Sequence, residues 1–359
     1  MNVNLAVVGL GRIGVIHALH TRQAADETPG CRFVAVVEQD TEKARRVVEK
    51  YSPAPAIFPS VDELVASGIA NAAVVCTPTA GHQEHAGKLI SGGFRVLLEK
   101  PMTEQLAKDR EFSRWLDESY PNSLMLAFQR RFDAPLQYAK RLLESGAIGR
   151  YFKIVSLLED SGPAPRGYKS GGVLKDMSVH NVDEILWLSG RVPDAAASGG
   201  SIVYARNVVP DSEDEYDDGF LHLWFGDDLI ANIGVTRNHV SGYRIETWIF
   251  GEEGQIHIGR FEQDKHNVAV EAYGRKQTID RRVFAMPDYG EGVPEFVHRF
   301  GPAYKEEVRV FAECCRDGKP FPVNHRDGLR AMEVIEAAEQ VRWTRALAQP
   351  INWGATVSA

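Results

Sequence analysis

Six residues near the start of the chain, Gly9-Leu10-Gly11-Arg12-Ile13-Gly14, restrict the fold more than any other stretch. They follow the apolar run Leu5–Val8, which reads as a short buried strand, and lead into a helical pattern through Ile16, Ala18 and Leu19. Three glycines alone mean little, but strand, glycine loop and helix in that order form the dinucleotide-binding fingerprint. Gly9 permits a tight turn, Gly11 lets a pyrophosphate approach the backbone, and Gly14 lets helix and strand pack closely. The helix N-terminus offers N–H groups and a positive dipole end to the phosphates.

Phe33–Val37 reads as the second strand and ends at Glu38, 24 residues beyond Gly14. Such a fold places there the acid that accepts hydrogen bonds from the adenosine ribose. Glu38 would also repel a 2′-phosphate: two unit charges about 4 Å apart, at an effective dielectric of about 20, interact by roughly 4 kcal/mol. NAD is therefore expected over NADP. Arg12 and Arg45 are cations that could soften the preference, so NADP stays possible.

The alternation continues. Helices are expected at Thr41–Tyr51 with Thr41 as N-cap, at Val61–Ala66 after Ser60, and at Thr103–Leu116. Strands are expected at Ala72–Cys76, Arg95–Leu98 and Leu124–Phe128. This pattern implies a parallel sheet with helices on both faces, whose ligands bind beyond the carboxyl ends of the strands. Thr77-Pro78 and Glu99-Lys100-Pro101 stand at such ends. His82 opens the helix after Thr77-Pro78 and is expected near the nicotinamide end of the cofactor. His85, one turn on, is expected to be structural, and His17 and His20 to be solvated.

A second stretch, Gly171–Asp183, points to proton chemistry. From Asp176 it reads as a helix on which Asp176, His180, Asp183 and Trp187 share one row, while Val179, Val182, Ile185 and Leu186 form an apolar stripe. A carboxylate one turn before a histidine favours the imidazolium and can orient the ring. Around this helix, Ala134–Ser145 reads as a helix stopped by Gly146. Tyr151–Leu158 reads as a strand leading into Glu159-Asp160-Ser161-Gly162, where two carboxylates could accept bonds from sugar hydroxyls. Asp211–Asp218 is acidic and reads as a solvated loop, and Ala303–Cys315 and Asp327–Ala346 as closing helices, with Trp353 packing the tail.

Phe220–Phe225 and Leu229–Val235 read as a hairpin. Its first strand carries bulk on both faces, Phe220 and Trp224 opposite Leu221, Leu223 and Phe225. Both faces then need cover, one from helices and one from another subunit, so a homodimer or homotetramer is expected.

The chain has 359 residues, enough for two domains, with a boundary expected at 128/129: residues 1–128 bind the dinucleotide and residues 129–359 the substrate and the partner subunit. The 41 basic and 49 acidic residues leave a net charge of −8, which argues against nucleic acid or an acidic membrane as partner. Four cysteines form no CxxC pair, no apolar run reaches membrane length, and no basic leader precedes the first strand, so a cytoplasmic protein is expected. No set of histidines, cysteines and carboxylates has metal-ligand spacing, and no metal is expected.

These motifs together resemble the Gfo/Idh/MocA oxidoreductases. Glu99-Lys100-Pro101 combined with Gly171-Gly172, Asp176, His180 and Asp183 is the specific part. Phe128-Gln129-Arg130-Arg131-Phe132-Asp133, Gly251-Glu252-Glu253-Gly254 and Arg299-Phe300 with Tyr304 resemble the inositol dehydrogenase branch. The resemblance implies a Rossmann domain followed by an α+β domain with a large, open, mostly antiparallel sheet. It implies Lys100, Asp176 and His180 as the catalytic group and a candidate cis peptide at Lys100–Pro101. Cofactor contacts are expected from Gly9, Gly11, Arg12, Ile13, Gly14, Glu38, Thr77, Pro78, His82, Glu99 and Lys100. Substrate contacts are expected from Lys100, Arg131, Asp160, Asp176, His180 and Tyr243.

The activity implied is NAD-dependent oxidation of a ring secondary alcohol to a ketone on a cyclic polyol or sugar, with an inositol as the first choice. His180 or Lys100 can receive the hydroxyl proton, Lys100 can stabilise alkoxide character, and Asp176 can orient His180 or hold a neighbouring hydroxyl. Acidic Glu159-Asp160 departs from the basic and amide groups expected in the inositol branch at that point. Alternatives are an NADP-linked sugar or keto-sugar reductase, a glycoside 3-dehydrogenase, and a silent NAD-binding regulator, the last disfavoured because all three catalytic positions are filled.

Overall fold

The computed structural model describes residues 2–161, 171–201, 216–239, 241–259, 266–344 and 349–351. The chain forms two compact units, Met1–Phe132 with Pro302–Leu329, and Asp133–Gly301 with Arg330–Ala359. The first unit therefore takes in a late segment that a single cut after residue 128 assigns to the other part.

In the first unit, strands β1 (Val3–Val8), β2 (Cys31–Val37), β3 (Ala56–Phe58), β4 (Ala72–Val75), β5 (Arg95–Glu99) and β6 (Leu124–Ala127) form one sheet in the order β3-β2-β1-β4-β5-β6. All neighbours are parallel. Every residue of β4 and β6 is buried, as expected for a parallel sheet covered on both faces. The intervening helices are α1 (Arg12–Glu27), α2 (Thr41–Val48), α3 (Val61–Ser67), α4 (His82–Ser91) and α5 (Leu106–Ser119).

Helices α2 and α5 differ from expectation, and α2 also ends at Val48 rather than Tyr51. The N-cap of α2 is Asp40, whose carboxylate accepts from Lys43 N at 2.9 Å, and Thr41 is already helical. Helix α5 starts at Leu106 because the Thr103 hydroxyl donates to Asp109 at 2.7 Å and to the Gln105 carbonyl at 2.9 Å, holding a turn ahead of the helix. His17 and His20, expected to be solvated, are both 0 % exposed, since α1 turns that face onto the sheet and the late segment. That segment contains most of α8 (Glu295–Asp317) and the start of α9 (His325–Thr344), and is tied in by Arg131–Asp327 at 3.0 Å and His325–Asp117 at 2.8 Å.

The second unit is built on α6 (Ala134–Glu144), α7 (Val179–Ser189) and nine strands: β7 (Tyr151–Glu159), β8 (Ala195–Ser201), β9 (Asp218–Phe225), β10 (Leu229–Thr236), β11 (Arg244–Gly251), β12 (Gly254–Gly259), β13 (Asn267–Gly274), β14 (Thr278–Ala285) and β15 (Gln349–Pro350). Their order is β14-β13-β12-β11-β7-β10-β9-β8-β15. Strand β10 runs parallel to β7, and the other neighbouring pairs are antiparallel.

The expected hairpin is β9–β10, with Leu221, Leu223 and Phe225 buried while Phe220 and Trp224 are 46 % and 37 % exposed. Ile230, paired with Trp224, is 41 % exposed on the same open face. Asp133 caps α6 and takes a bidentate Arg299 at 2.6 and 2.9 Å, so two of the motif residues meet inside this unit.

Strand β9 begins two residues earlier than expected, and Tyr216 and Asp217 just before it are buried rather than part of a solvated loop. Asp211–Glu215, Gly162 and Trp353 lie outside the described residues. Among the described residues no helix is long and apolar enough to cross a membrane.

Candidate active site

The glycine loop is built as the sequence requires. Gly9 has φ +87°, and a Cβ on Gly14 would lie 1.9 Å from the Gly9 carbonyl oxygen, so neither position accepts a larger side chain without rebuilding the turn. A Cβ on Gly11 would meet no protein atom within 4 Å, which leaves open space at the N-terminus of α1, where Arg12 is exposed. A dinucleotide pyrophosphate fits that space, with Gly11, Arg12, Ile13 and Gly14 supplying the helix-end N–H groups.

Glu38 stands at the end of β2. Its Oε2 accepts from Leu10 N at 3.1 Å and from Lys43 Nζ at 2.9 Å, and its Oε1 from Asp40 N at 3.3 Å. Burial alone would raise its pKa, but Lys43 and the two backbone donors hold the carboxyl below its ordinary range. The cation beside Glu38 is thus Lys43, on the first turn of α2, a partner that spacing alone does not indicate. Arg45 turns to Glu42 instead.

Beyond β5, the Lys100–Pro101 peptide is cis, as the motif implied. Lys100 N donates to Glu99 Oε2 at 3.0 Å, while Glu99 Oε1 accepts from His17 Nε2 at 2.7 Å. Burial pushes Glu99 up, yet the bond from His17 and the positive potential of His17 and Lys100 outweigh it and keep the carboxyl below its usual range. His82 is 2 % exposed, with Nδ1 2.8 Å from the Pro101 carbonyl and Nε2 2.8 Å from the Thr77 carbonyl. Both neighbours are acceptors, and burial lowers the ring's pKa, so a neutral His82 donates to one of them at a time. The ring braces the Thr77 and Pro101 loops. His85 packs behind it, 3.1 Å from the Thr77 hydroxyl. Arg131 is 9 % exposed and its guanidinium is engaged with Asp327, which makes it a tie within the first unit.

In the second unit the functional row begins on a wide turn. Leu174–Ser178 is π-helical and regular α-helix starts at Val179, so Asp176 and His180 do not follow ordinary helical register. The expected apolar stripe is confirmed: Val179, Val182, Ile185 and Leu186 are all buried. Asp183, assigned to the polar row, is 1 % exposed and belongs to the interior. A buried polar patch also holds α7, with Asn181 donating to Ser156 Oγ at 2.7 Å.

Asp176 Oδ2 accepts from Arg237 Nη2 at 2.7 Å, and Arg237 is 5 % exposed. Arg237 follows β10, whose parallel neighbour β7 ends at Glu159 in register with Thr236. The carboxyl ends of this parallel pair thus deliver Asp160 and Arg237 side by side. Asp160 N donates to the Thr236 carbonyl at 2.8 Å, and its carboxylate accepts from Ser161 N at 2.8 Å. His239 donates its backbone N–H to the Asp160 carbonyl at 2.9 Å, and its ring lies 3.6 Å from Glu159. Tyr243, just before β11, is half-buried. No spacing rule joins Arg237 to Asp176, 61 residues apart, and the sequence reading did not find it.

A parallel sheet in this strand order, with a glycine turn beneath open space and an acid closing the second strand, defines a dinucleotide-binding protein. The chain belongs to the Gfo/Idh/MocA oxidoreductase family: the description of its NAD-binding Rossmann fold matches residues 3–120 and that of its C-terminal domain residues 136–257. The chain is 29 % identical to the scyllo-inositol 2-dehydrogenase (NAD(+)) of Bacillus subtilis, covering 94 % of this chain and 93 % of that protein. It is 25 % identical to the myo-inositol 2-dehydrogenase of Thermotoga maritima, covering 94 % and 96 %. Among solved structures, the scyllo-inositol dehydrogenase of Lactobacillus casei with bound NAD(H) and scyllo-inositol superposes with a TM-score of 0.80 at 21 % identity, covering 98 % and 99 % of the two chains, and shares the fold.

Proposed function

We propose that this protein oxidises a ring secondary alcohol of a cyclic polyol, an inositol first among them, to the ketone with NAD as hydride acceptor. The observation that carries this reading is the likeness, over 94 % of the chain, to an NAD-dependent inositol 2-dehydrogenase. The built glycine loop and Glu38 support it.

When bound, NAD supplies the carbon that takes the hydride. The loop residues Gly9–Gly14 hold its pyrophosphate, and Glu38 favours a free ribose hydroxyl over a 2′-phosphate. Lys100 donates to the reacting oxygen and stabilises its developing charge, and His180 handles the hydroxyl proton with it. Asp176, paired with Arg237, holds a neighbouring ring hydroxyl. Asp160 and Tyr243 line the same end of the second unit and contribute further substrate contacts. The open sheet face with Phe220, Trp224 and Ile230 is the surface through which the protein forms a homodimer or homotetramer.

The test is a screen of purified protein with NAD and NADP against inositols, pyranoses and glycosides at alkaline pH. Reduction of NAD with an inositol, at least tenfold faster than with NADP, is the expected result. Turnover confined to open-chain or aromatic alcohols overturns the reading. Replacing Glu38 by Ala is expected to narrow the NAD/NADP ratio about tenfold, or about 1.4 kcal/mol.

A further inference from the structure

The tripeptide that carries Lys100 is gripped from inside the first unit. Glu99 folds back so that one carboxylate oxygen accepts the N–H of the next residue, Lys100, at 3.0 Å. The other oxygen accepts from His17 Nε2 at 2.7 Å. His17 is 0 % exposed on α1, and Tyr304 sets its ring edge-on at 5.5 Å and 88°. Glu99 itself is 8 % exposed, its carboxylate held by the protein's own donors.

Burying a carboxylate is costly unless its partners repay the desolvation. Both partners here are donors, an imidazole N–H and a peptide N–H. A glutamine in place of Glu99 would satisfy one and present an NH₂ group to the other, and an apolar residue would satisfy neither. The carboxylate satisfies both donors at once, and through Lys100 N it is joined to the peptide that aims Lys100.

We infer that Glu99, held by His17, is a positioning residue that fixes the Lys100 peptide so that its ammonium reaches the reacting oxygen. The inference rests on the role of Lys100 proposed above.

Glu99→Gln, His17→Leu and His17→Gln are compared in the parent and in a Lys100→Ala background, with myo-inositol and NAD as probes. Glu99→Gln and His17→Leu lower kcat 10- to 100-fold, while KM for myo-inositol changes less than threefold and NADH affinity by fluorescence less than twofold. His17→Gln, which keeps an N–H donor, restores most of kcat. In the Lys100→Ala background the same substitutions cost less than a further twofold, because the group they aim is gone. Equal losses in both backgrounds, or NADH affinity falling in step with kcat, overturn the positioning role. A Lys100→Ala enzyme with parental kcat would instead overturn the role of Lys100 itself.

A readout independent of turnover uses ¹³C-dimethylated lysines. The resonance missing from Lys100→Ala moves in chemical shift and broadens in Glu99→Gln at the parent's working pH, because the peptide that carries the side chain is no longer fixed. An unchanged resonance overturns the proposal even if the variants' activity cannot be read.

Discussion

The two units hold their functional groups in opposite ways. In the first, the Lys100 turn is fixed through its backbone by buried groups: Glu99 takes its N–H, and His82 faces the next carbonyl. In the second, the Asp176 side chain takes the Arg237 guanidinium at a partly exposed rim where the carboxylate keeps 24 % of its surface. Backbone anchoring fixes where a side chain starts, whereas side-chain anchoring fixes the charged group itself. The comparison separates residues that shape a peptide from residues that tune a charge.

The largest expected effect tests whether both units supply chemistry. Lys100→Ala and His180→Ala should each lower kcat by about 10³-fold, within the span of general acid–base and electrostatic contributions, while NADH titration shows affinity within a few-fold of the parent. A dead enzyme with lost NADH binding in both variants would erase the distinction.

Next comes the interior of the second unit. Arg299→Met strands the buried Asp133 carboxylate, and breaking such a pair typically costs about 3–5 kcal/mol. Chemical denaturation should show that loss, with partial recovery in the Asp133→Asn/Arg299→Met double variant.

The first unit carries an acid-sensitive group of its own. Burial lowers the His20 pKa to about 4, while its Nδ1–H donates to Gln23 at 3.0 Å. The unfolded ring titrates near 6.5, so the stability this neutral histidine contributes is complete above that pH. It is lost as pH falls from 6.5 toward 4, by about 3 kcal/mol at roughly 1.4 kcal/mol per unit. Unfolding followed between pH 7 and pH 4 should be flatter for His20→Gln, and an identical slope would remove His20 from the acid response.

The smallest effect is the most diagnostic. Arg237→Met should reduce kcat/KM by 10- to 100-fold, about 1–3 kcal/mol, and leave NADH affinity unchanged. If it instead unfolds the second unit, Arg237 is a structural clamp and the two units hold their groups alike.

Much of this was legible beforehand, for identifiable reasons. Gly9, Gly11 and Gly14 between an apolar run and a helix, with Glu38 one strand later, report local backbone needs that few other sequences meet. The stripe Val179, Val182, Ile185 and Leu186 reports which face of α7 is buried. For His17 and His20 polarity suggests solvent, whereas the rest of the first unit packs over them. Asp176 and His180 were placed on a regular helix, and the π turn at Leu174–Ser178 left no periodic mark.

The sequence by itself determined the parallel nucleotide-binding sheet, because that depends on patterns within a few turns or strands, while the open second sheet was implied by the family resemblance. Only the tertiary structure decided who holds those residues: His17 for Glu99 across 82 positions, Arg237 for Asp176 across 61, and Lys43 rather than Arg45 for Glu38. A hydrogen-bond partner is fixed by where two elements come together in space, and that meeting is encoded by the packing of the whole unit rather than by any window of the chain.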